Sequence, residues 1–446
     1  MSLTGPEPLS TNPLRRVASE ARMERRARGA HPSGDTTPSL RRTHRMIVDP
    51  LGLLLDAYER HGPVFSLRIL NARNVFMLGP EANHFMLVSH ADHFTWRDGG
   101  FGDLFPLLGD GLLTIDGDFH RRSRRIMLPA FHHEQVAGAR GIMEEEVERA
   151  LAPWQDGLEL DLYAWARELA LRVAMRALFG FDPDARAGAS PARQFERALG
   201  FYGREYWLQV LRGPRTPWRA LQDARGRLDA LIYAEIARRR GRPSRGEDVL
   251  SLLLDAPFDD RQVRDHVMTL LFAGHDTTTA TVAFLFYELA RRPDLAEAIA
   301  AGRPGLLDQA LDETLRLYPP AWIGPRRAVR EFEFGGRTVP EGAYVNYCSW
   351  ASHRLPEVFP QPEAFIPERF TRERKAALPR GAYVPFGGGS RICIGKRFGQ
   401  TEVKLVATKL LQRLRVEALP GRAMTIRQMP TLSPSGGLRM RILSRN

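Results

Sequence analysis

Residues 62–79 hold two short strand-like runs, Val64-Phe65-Ser66-Leu67-Arg68-Ile69 and Val75-Phe76-Met77-Leu78, with Asn71-Ala72-Arg73-Asn74 between them. This pattern predicts a β-hairpin. From there to about Leu317 the apolar positions recur three and four apart, over 144–151, 161–179, 194–211 and 220–240, which predicts helices. Val263, Val267, Leu271, Gly274, Thr278, Thr281 and Leu285 continue that spacing and predict a helix over 263–289, with Asp259 and Asp260 as cap candidates. Some 30 residues at ~1.5 Å each give about 45 Å, enough to cross a whole domain. This helix is apolar on nearly every face, so it is expected to be buried. A strand-rich patch follows at 332–347, with Gly335-Gly336 and Glu341-Gly342 as turn signals. One more helix is predicted over 394–414, and short strands finish the chain.

At about 150 residues per domain, 446 residues suggest about three domains. No Gly/Ser-rich linker and no internal repeat divides the body. The expected fold is therefore mainly α (α+β), with a long central helix and smaller β-rich parts in a single domain over 46–446. The fractions of hydrophobic (43%) and charged (26%) residues exclude disordered and collagen-like classes. Two cysteines, Cys348 and Cys393, exclude a disulfide framework and any four-cysteine metal site. No apolar run approaches the ~18–20 residues of a membrane span.

The net charge of +12 raises nucleic acid as a partner. Residues 1–45, however, hold nine arginines against four acids, and Pro6, Pro8, Pro13, Pro32 and Pro38 interrupt them. This stretch reads as a disordered, solvated tail. Its acids and lack of an apolar stripe argue against a mitochondrial presequence, and no apolar h-region marks a secretory signal, so a cytoplasmic location is expected. The remaining charge is not gathered on any recognisable reading module, so no nucleic acid is expected and an acidic protein partner is.

Candidate chemistry begins at Cys393, in Phe386-Gly387-Gly388-Gly389-Ser390-Arg391-Ile392-Cys393-Ile394-Gly395. Glycines let a backbone approach a flat ligand closely. A cysteine at a helix N-terminus beside an arginine favours a thiolate, suited to serve as a single metal ligand. A lone cysteine is more often a buried, inert residue, and Cys348 keeps that reading. Within the central helix, Ala273-Gly274-His275-Asp276-Thr277-Thr278-Thr279 sets a glycine, a carboxylate and three β-branched hydroxyls against helix propensity. These mark either function or a structural kink, with hydroxyls bonded back to i−4 carbonyls and Asp276 as its cap. Glu313 and Arg316, three apart, can pair on one helix face.

Together these features resemble the cytochrome P450 family from about residue 49 to the C-terminus. Phe386, Gly389, Arg391, Cys393 and Gly395 match its haem-binding signature. Residues 273–278 match its oxygen-activation motif, and Glu313, Arg316 and Arg369 its ExxR set, with the run from His353 to Phe370 similar to the segment before the cysteine loop. Arg391 and Ile394 resemble the eukaryotic-like, class E branch.

The resemblance implies the cytochrome P450 fold, haem b and a monooxygenase. Cys393 becomes the proximal ligand, whose electron density favours O–O cleavage. Phe386, Gly387 and Gly395 line the haem with Ala273 and Gly274, and Gly274 leaves room for dioxygen. Asp276 and Thr277 relay protons. His120, Arg124, Arg326 and Arg391 hold the propionates. Arg121, Arg122, Arg125, Lys396 and Arg397 face an acidic donor, a ferredoxin or flavodoxin whose reductase draws on NAD(P)H. Phe101, Phe105, Leu107, Phe201, Trp207, Leu270, Ala273, Trp322 and Ile323 suggest a hydrophobic substrate: a fatty acid, terpenoid or steroid-like molecule. A monomer is expected. The alternatives are a haem-thiolate peroxygenase or isomerase, which usually lacks the acid–alcohol pair, and a non-catalytic haem-binding protein, for which a proton relay has no use.

Overall fold

The computed structural model describes residues 5–7, 9–27, 29–70, 72–181, 190–204, 206–241, 248–419 and 424–445. Contacts divide the chain into two compact units. Met1–Glu7, Leu107–Thr314 and Ile394–Asn446 form one, and Pro8–Pro106 with Leu315–Cys393 the other. Among the described residues no helix is long and apolar enough to cross a membrane.

The first unit is mostly helical. Its central helix, Asp260–Ala290, runs for 31 residues from a capping box in which the Asp259 carboxylate accepts from Gln262 N–H and the Gln262 side chain accepts in return. All-round apolarity has the predicted consequence: the helix is buried along nearly its whole length. It packs on Leu162–Phe179, Pro217–Arg240 and Lys396–Arg413. Asp161 caps the first of these by accepting from Tyr163 and Ala164 N–H, and Gly180 ends it at φ +56°. The continuous helix expected over 194–211 is instead two, Pro191–Leu199 and Tyr206–Gln209, with Gly200 at the first one's C-terminus.

The second unit is built on a six-stranded sheet whose hairpin, Val64–Ile69 and Ala72–Met77, matches the expectation. Its turn is tighter than predicted, because Ile69 stands opposite Ala72 and Leu70 turns the corner at φ +53°. The strand Ile323–Ala328 was missed. It carries Pro325, Arg326 and Arg327 and shows no apolar alternation, yet both arginines are buried. The sheet's core face gathers Val64, Val75, Met77, Val345 and Tyr347.

The arginine-rich first 45 residues carry two helices, Pro13–Arg26 and Leu40–Val48, and a short strand, Gly34–Asp35, paired with Ser66 and Leu67. This differs from the disordered tail expected from composition. Pro13 occupies the first helical turn, where a missing N–H costs nothing, rather than an interior position. Glu20 then pairs with the buried Arg327 at 2.5 Å, anchoring the first helix to the sheet.

Candidate active site

The cysteine loop belongs to the second unit. Gly387 N–H donates to Val384 O at 3.0 Å, and Cys393 N–H donates to Phe386 O at 2.9 Å, so the loop closes on itself. Gly389, at φ +59°, lies so close to Leu87 that a Cβ would stand 2.1 Å from its carbonyl oxygen. Gly387, at φ +67°, meets nothing within 4 Å. Cys393 is exposed. Cys348 is the inert residue expected: burial pushes its thiol up to about 12, and its sulfur accepts from Ala351 N–H.

Two arginines assigned to the propionates share one partner that sequence reasoning missed. Arg326, 2% exposed, stacks 3.8 Å from the centroid of the Trp96 ring, and Arg391 lies 4.7 Å from the same ring. The indole thus holds two cations side by side against their mutual repulsion. In the first unit, His120 and Ser123 are buried and Arg124 half-buried on the helix Gly117–Met127, whereas Arg121, Arg122 and Arg125 are exposed. The helix period separates the two sets.

Arg316 is fully buried and donates to three carbonyls, of His353 (3.0 Å), Pro362 (2.7 Å) and Ala364 (3.0 Å). Arg369 donates to Gln361 O at 2.8 Å. Both therefore fasten the backbone of residues 361–364. Charge-assisted bonds contribute about 1.5–3 kcal/mol each, which offsets burying the guanidinium. Val384 N–H donates to His353 Nε2 at 2.9 Å, which leaves the ring proton on Nδ1. Burial, with Arg316 nearby, pushes His353 down to about 3, so it remains a neutral acceptor at the base of the cysteine loop.

At the centre of the long helix, Thr277 Oγ1 donates to Ala273 O at 2.7 Å, Thr279 Oγ1 to His275 O at 2.7 Å and Thr281 Oγ1 to Thr277 O at 2.8 Å. The back-bonding expected on structural grounds is present. Asp276 has a different partner from the helix cap expected: its carboxylate accepts from Thr431 Oγ1 at 2.5 Å, while the helix continues through the motif. Thr431 lies 155 residues away, beyond the reach of any local pattern. His275 is fully buried with neither ring nitrogen bonded, and burial pushes it down to about 4, so it stays neutral. A Cβ at Gly274 would meet only Ala174 Cβ, at 3.9 Å. The loop after Leu107 is tied to this helix by Asp110 N–H donating to Asp265 Oδ2 (2.8 Å) and by Arg261 to Asp110 (3.0 Å). The side chain of Trp207, expected in the substrate pocket, lies outside those described.

Glu402, on Lys396–Arg413, is 2% exposed, and desolvation raises its pKa well above the ordinary carboxylate value. The folded protein therefore keeps its proton while the unfolded chain loses it, and stability from this group falls as pH rises beyond the ordinary carboxylate range. Glu402→Gln is expected to melt at a higher temperature than the parent near pH ~8, with the gain shrinking toward pH ~5. Parallel melting curves at both pH values would show an ionised Glu402 instead.

An exposed cysteine on a self-closed loop, flanked by glycines and with paired guanidiniums in the same unit, fits a single-thiolate haem ligand. The helical body and this loop define the class of haem-thiolate proteins. The Cytochrome P450 family model matches residues 49–301 and 305–439. The chain is 33% identical over 413 residues to Cyclooctat-9-en-7-ol 5-monooxygenase of Streptomyces melanosporofaciens, covering 86% of this chain and 89% of that one. It is 34% identical over 368 residues to Cyclooctatin synthase of the same organism, covering 75% and 79%. A cyanobacterial relative solved with retinoic acid bound superposes with a TM-score of 0.82 at 28% identity, covering 93% of this chain and all of the other. The chain belongs to the cytochrome P450 family and is a haem-thiolate monooxygenase.

Proposed function

We propose that this monooxygenase hydroxylates or epoxidises a terpenoid-like or related lipid-like molecule, with electrons from NAD(P)H delivered by a ferredoxin or flavodoxin and its reductase. The observation that carries the reading is the acid–alcohol pair, Asp276 and Thr277, set at the middle of a helix buried along nearly its whole length. Bound haem supplies the iron at which dioxygen is reduced. Cys393 would be its protein ligand. His120, Arg124, Arg326 and Arg391 would neutralise the propionates, and Phe386, Gly387, Gly395, Ala273 and Gly274 would leave room for the macrocycle and the gas.

The chain's own contribution is proton handling in a dry environment. Thr277 donates into the helix and keeps its oxygen lone pairs as acceptors. Asp276 is oriented by Thr431 and has a neutral His275 beside it, so no cation on the preceding residue immobilises its charge. A carboxylate next to a hydroxyl can pass protons in sequence to a distal acceptor. Leu270, Phe201 and Leu107 are buried and apolar, as a hydrophobic substrate requires. The relatives support the substrate class: one is named for an alkenol, cyclooctat-9-en-7-ol, and another holds retinoic acid, a polyene with one polar end. Arg121, Arg122, Arg125, Lys396 and Arg397 are exposed in the first unit, which suits an acidic electron donor.

The test is a titration of the ferric protein with terpenes, fatty acids, steroids and small aromatics, followed at the Soret band. A low-to-high-spin shift with terpenes supports the substrate class. A shift only with small aromatics overturns it, and a folded, haem-supplied protein without a Soret band overturns the haem assignment itself.

A further inference from the structure

The four most exposed large apolar side chains among the described residues all lie in one place. Leu40 (85%), Ile47 (66%) and Val48 (57%) belong to the helix Leu40–Val48, and Leu70 (54%) to the hairpin turn beside it. Positions 40, 44, 47 and 48 share one helical face. Thr43, on the adjoining side, is buried and accepts from Leu70 N–H at 2.9 Å, which brings the Leu70 backbone beside the stripe. The helix is amphipathic with its apolar face turned outward, the reverse of what packing against the body would require.

The charged side chains of the helix itself have one sign. The helix carries Arg41, Arg42, His44 and Arg45 and no acid. Arg42 reaches over to donate to Arg68 O (3.3 Å) and Thr37 O (2.8 Å). The acids close by are paired, Asp49 and Asp56 with Arg45 and Asp35 with Arg60. Arg41 is exposed.

We propose that this face docks on an anionic lipid surface, with Leu40, Ile47, Val48 and Leu70 entering the headgroup–acyl boundary and the arginines meeting lipid phosphates. Side chains that protrude from a helix suit a fluid bilayer, which closes around them. The apolar area offered is on the order of a few hundred Å², below the ~800 Å² that each partner of a stable protein complex contributes. Arginines near an anionic membrane add electrostatic attraction, and an interfacial helix of this kind binds through apolar burial plus that attraction.

The experiment is flotation of the full-length holoprotein with vesicles of phosphatidylcholine alone or mixed with phosphatidylglycerol. Binding is expected to the mixed vesicles and to fall with added salt. Because the whole chain is basic, the decisive variant is Leu40→Ser with Ile47→Ser, which leaves the charge unchanged. It should cut the bound fraction about tenfold while the Soret spectrum and melting temperature stay those of the parent. Arg41→Glu should weaken binding to the mixed vesicles alone. Undiminished binding of the serine variant, or no preference for phosphatidylglycerol, overturns the proposal. So does a vesicle-free dimer that the serine variant abolishes, which would assign the face to a second copy of the chain.

Discussion

Cys393→Ala is expected to leave a folded protein with no monooxygenase turnover, whose reduced, CO-treated haem lacks the red-shifted Soret band of thiolate ligation. The loop that presents the sulfur is held by backbone bonds that do not involve it: Cys393 N–H to Phe386 O and Gly387 N–H to Val384 O. Further support comes from the Val384 N–H bond to His353 and from the grip of Arg316 on residues 362 and 364. These bonds survive the substitution, so the loop keeps its shape and the loss falls on ligation. Cys348→Ala is the internal control. Its thiol is buried and held protonated, so the spectrum should not change. A thiolate-type band surviving in Cys393→Ala would move the ligand to another residue and overturn the site.

The second large effect is expected at Asp276 and Thr277. Asp276→Asn keeps the shape and the contact with Thr431 but removes the charge that carries a proton. Thr277→Ala removes the hydroxyl that Ala273 O now accepts from. General acid–base groups contribute about 10²–10⁴-fold, so product formation should fall by at least about 10²-fold in either variant. NAD(P)H oxidation should continue, with its electrons appearing as hydrogen peroxide. This separates a monooxygenase from a haem carrier, in which neither substitution has a turnover to disturb. Unchanged coupling of NAD(P)H to product in both variants would remove the pair from the mechanism.

Local pattern served well where one short stretch of chain sets its own environment. The central helix was legible because apolar residues on nearly every face favour burial, and Asp259 marks its start. The 64–69 hairpin strand was legible by alternation. Reading failed where the deciding partner is remote. Ile323–Ala328 looks like a polar turn until Trp96 and Glu20 are present to receive Arg326 and Arg327. The first 45 residues look solvated because composition counts charges, not the strand edge that Gly34–Asp35 joins. The helix expected over 194–211 was over-extended because apolar spacing continues past Gly200, where the backbone does not.

The sequence by itself determined the glycine-flanked cysteine loop, the acid–alcohol pair and the buried central helix, since each is a short motif or a period that acts within a few residues. Only the tertiary structure decided which group orients Asp276, what holds Arg326 and Arg391 together, that desolvation raises the pKa of Glu402, and that Leu40, Ile47 and Val48 face outward. Those properties arise from desolvation and from contacts across tens to hundreds of residues, and neither leaves a local trace in the order of amino acids.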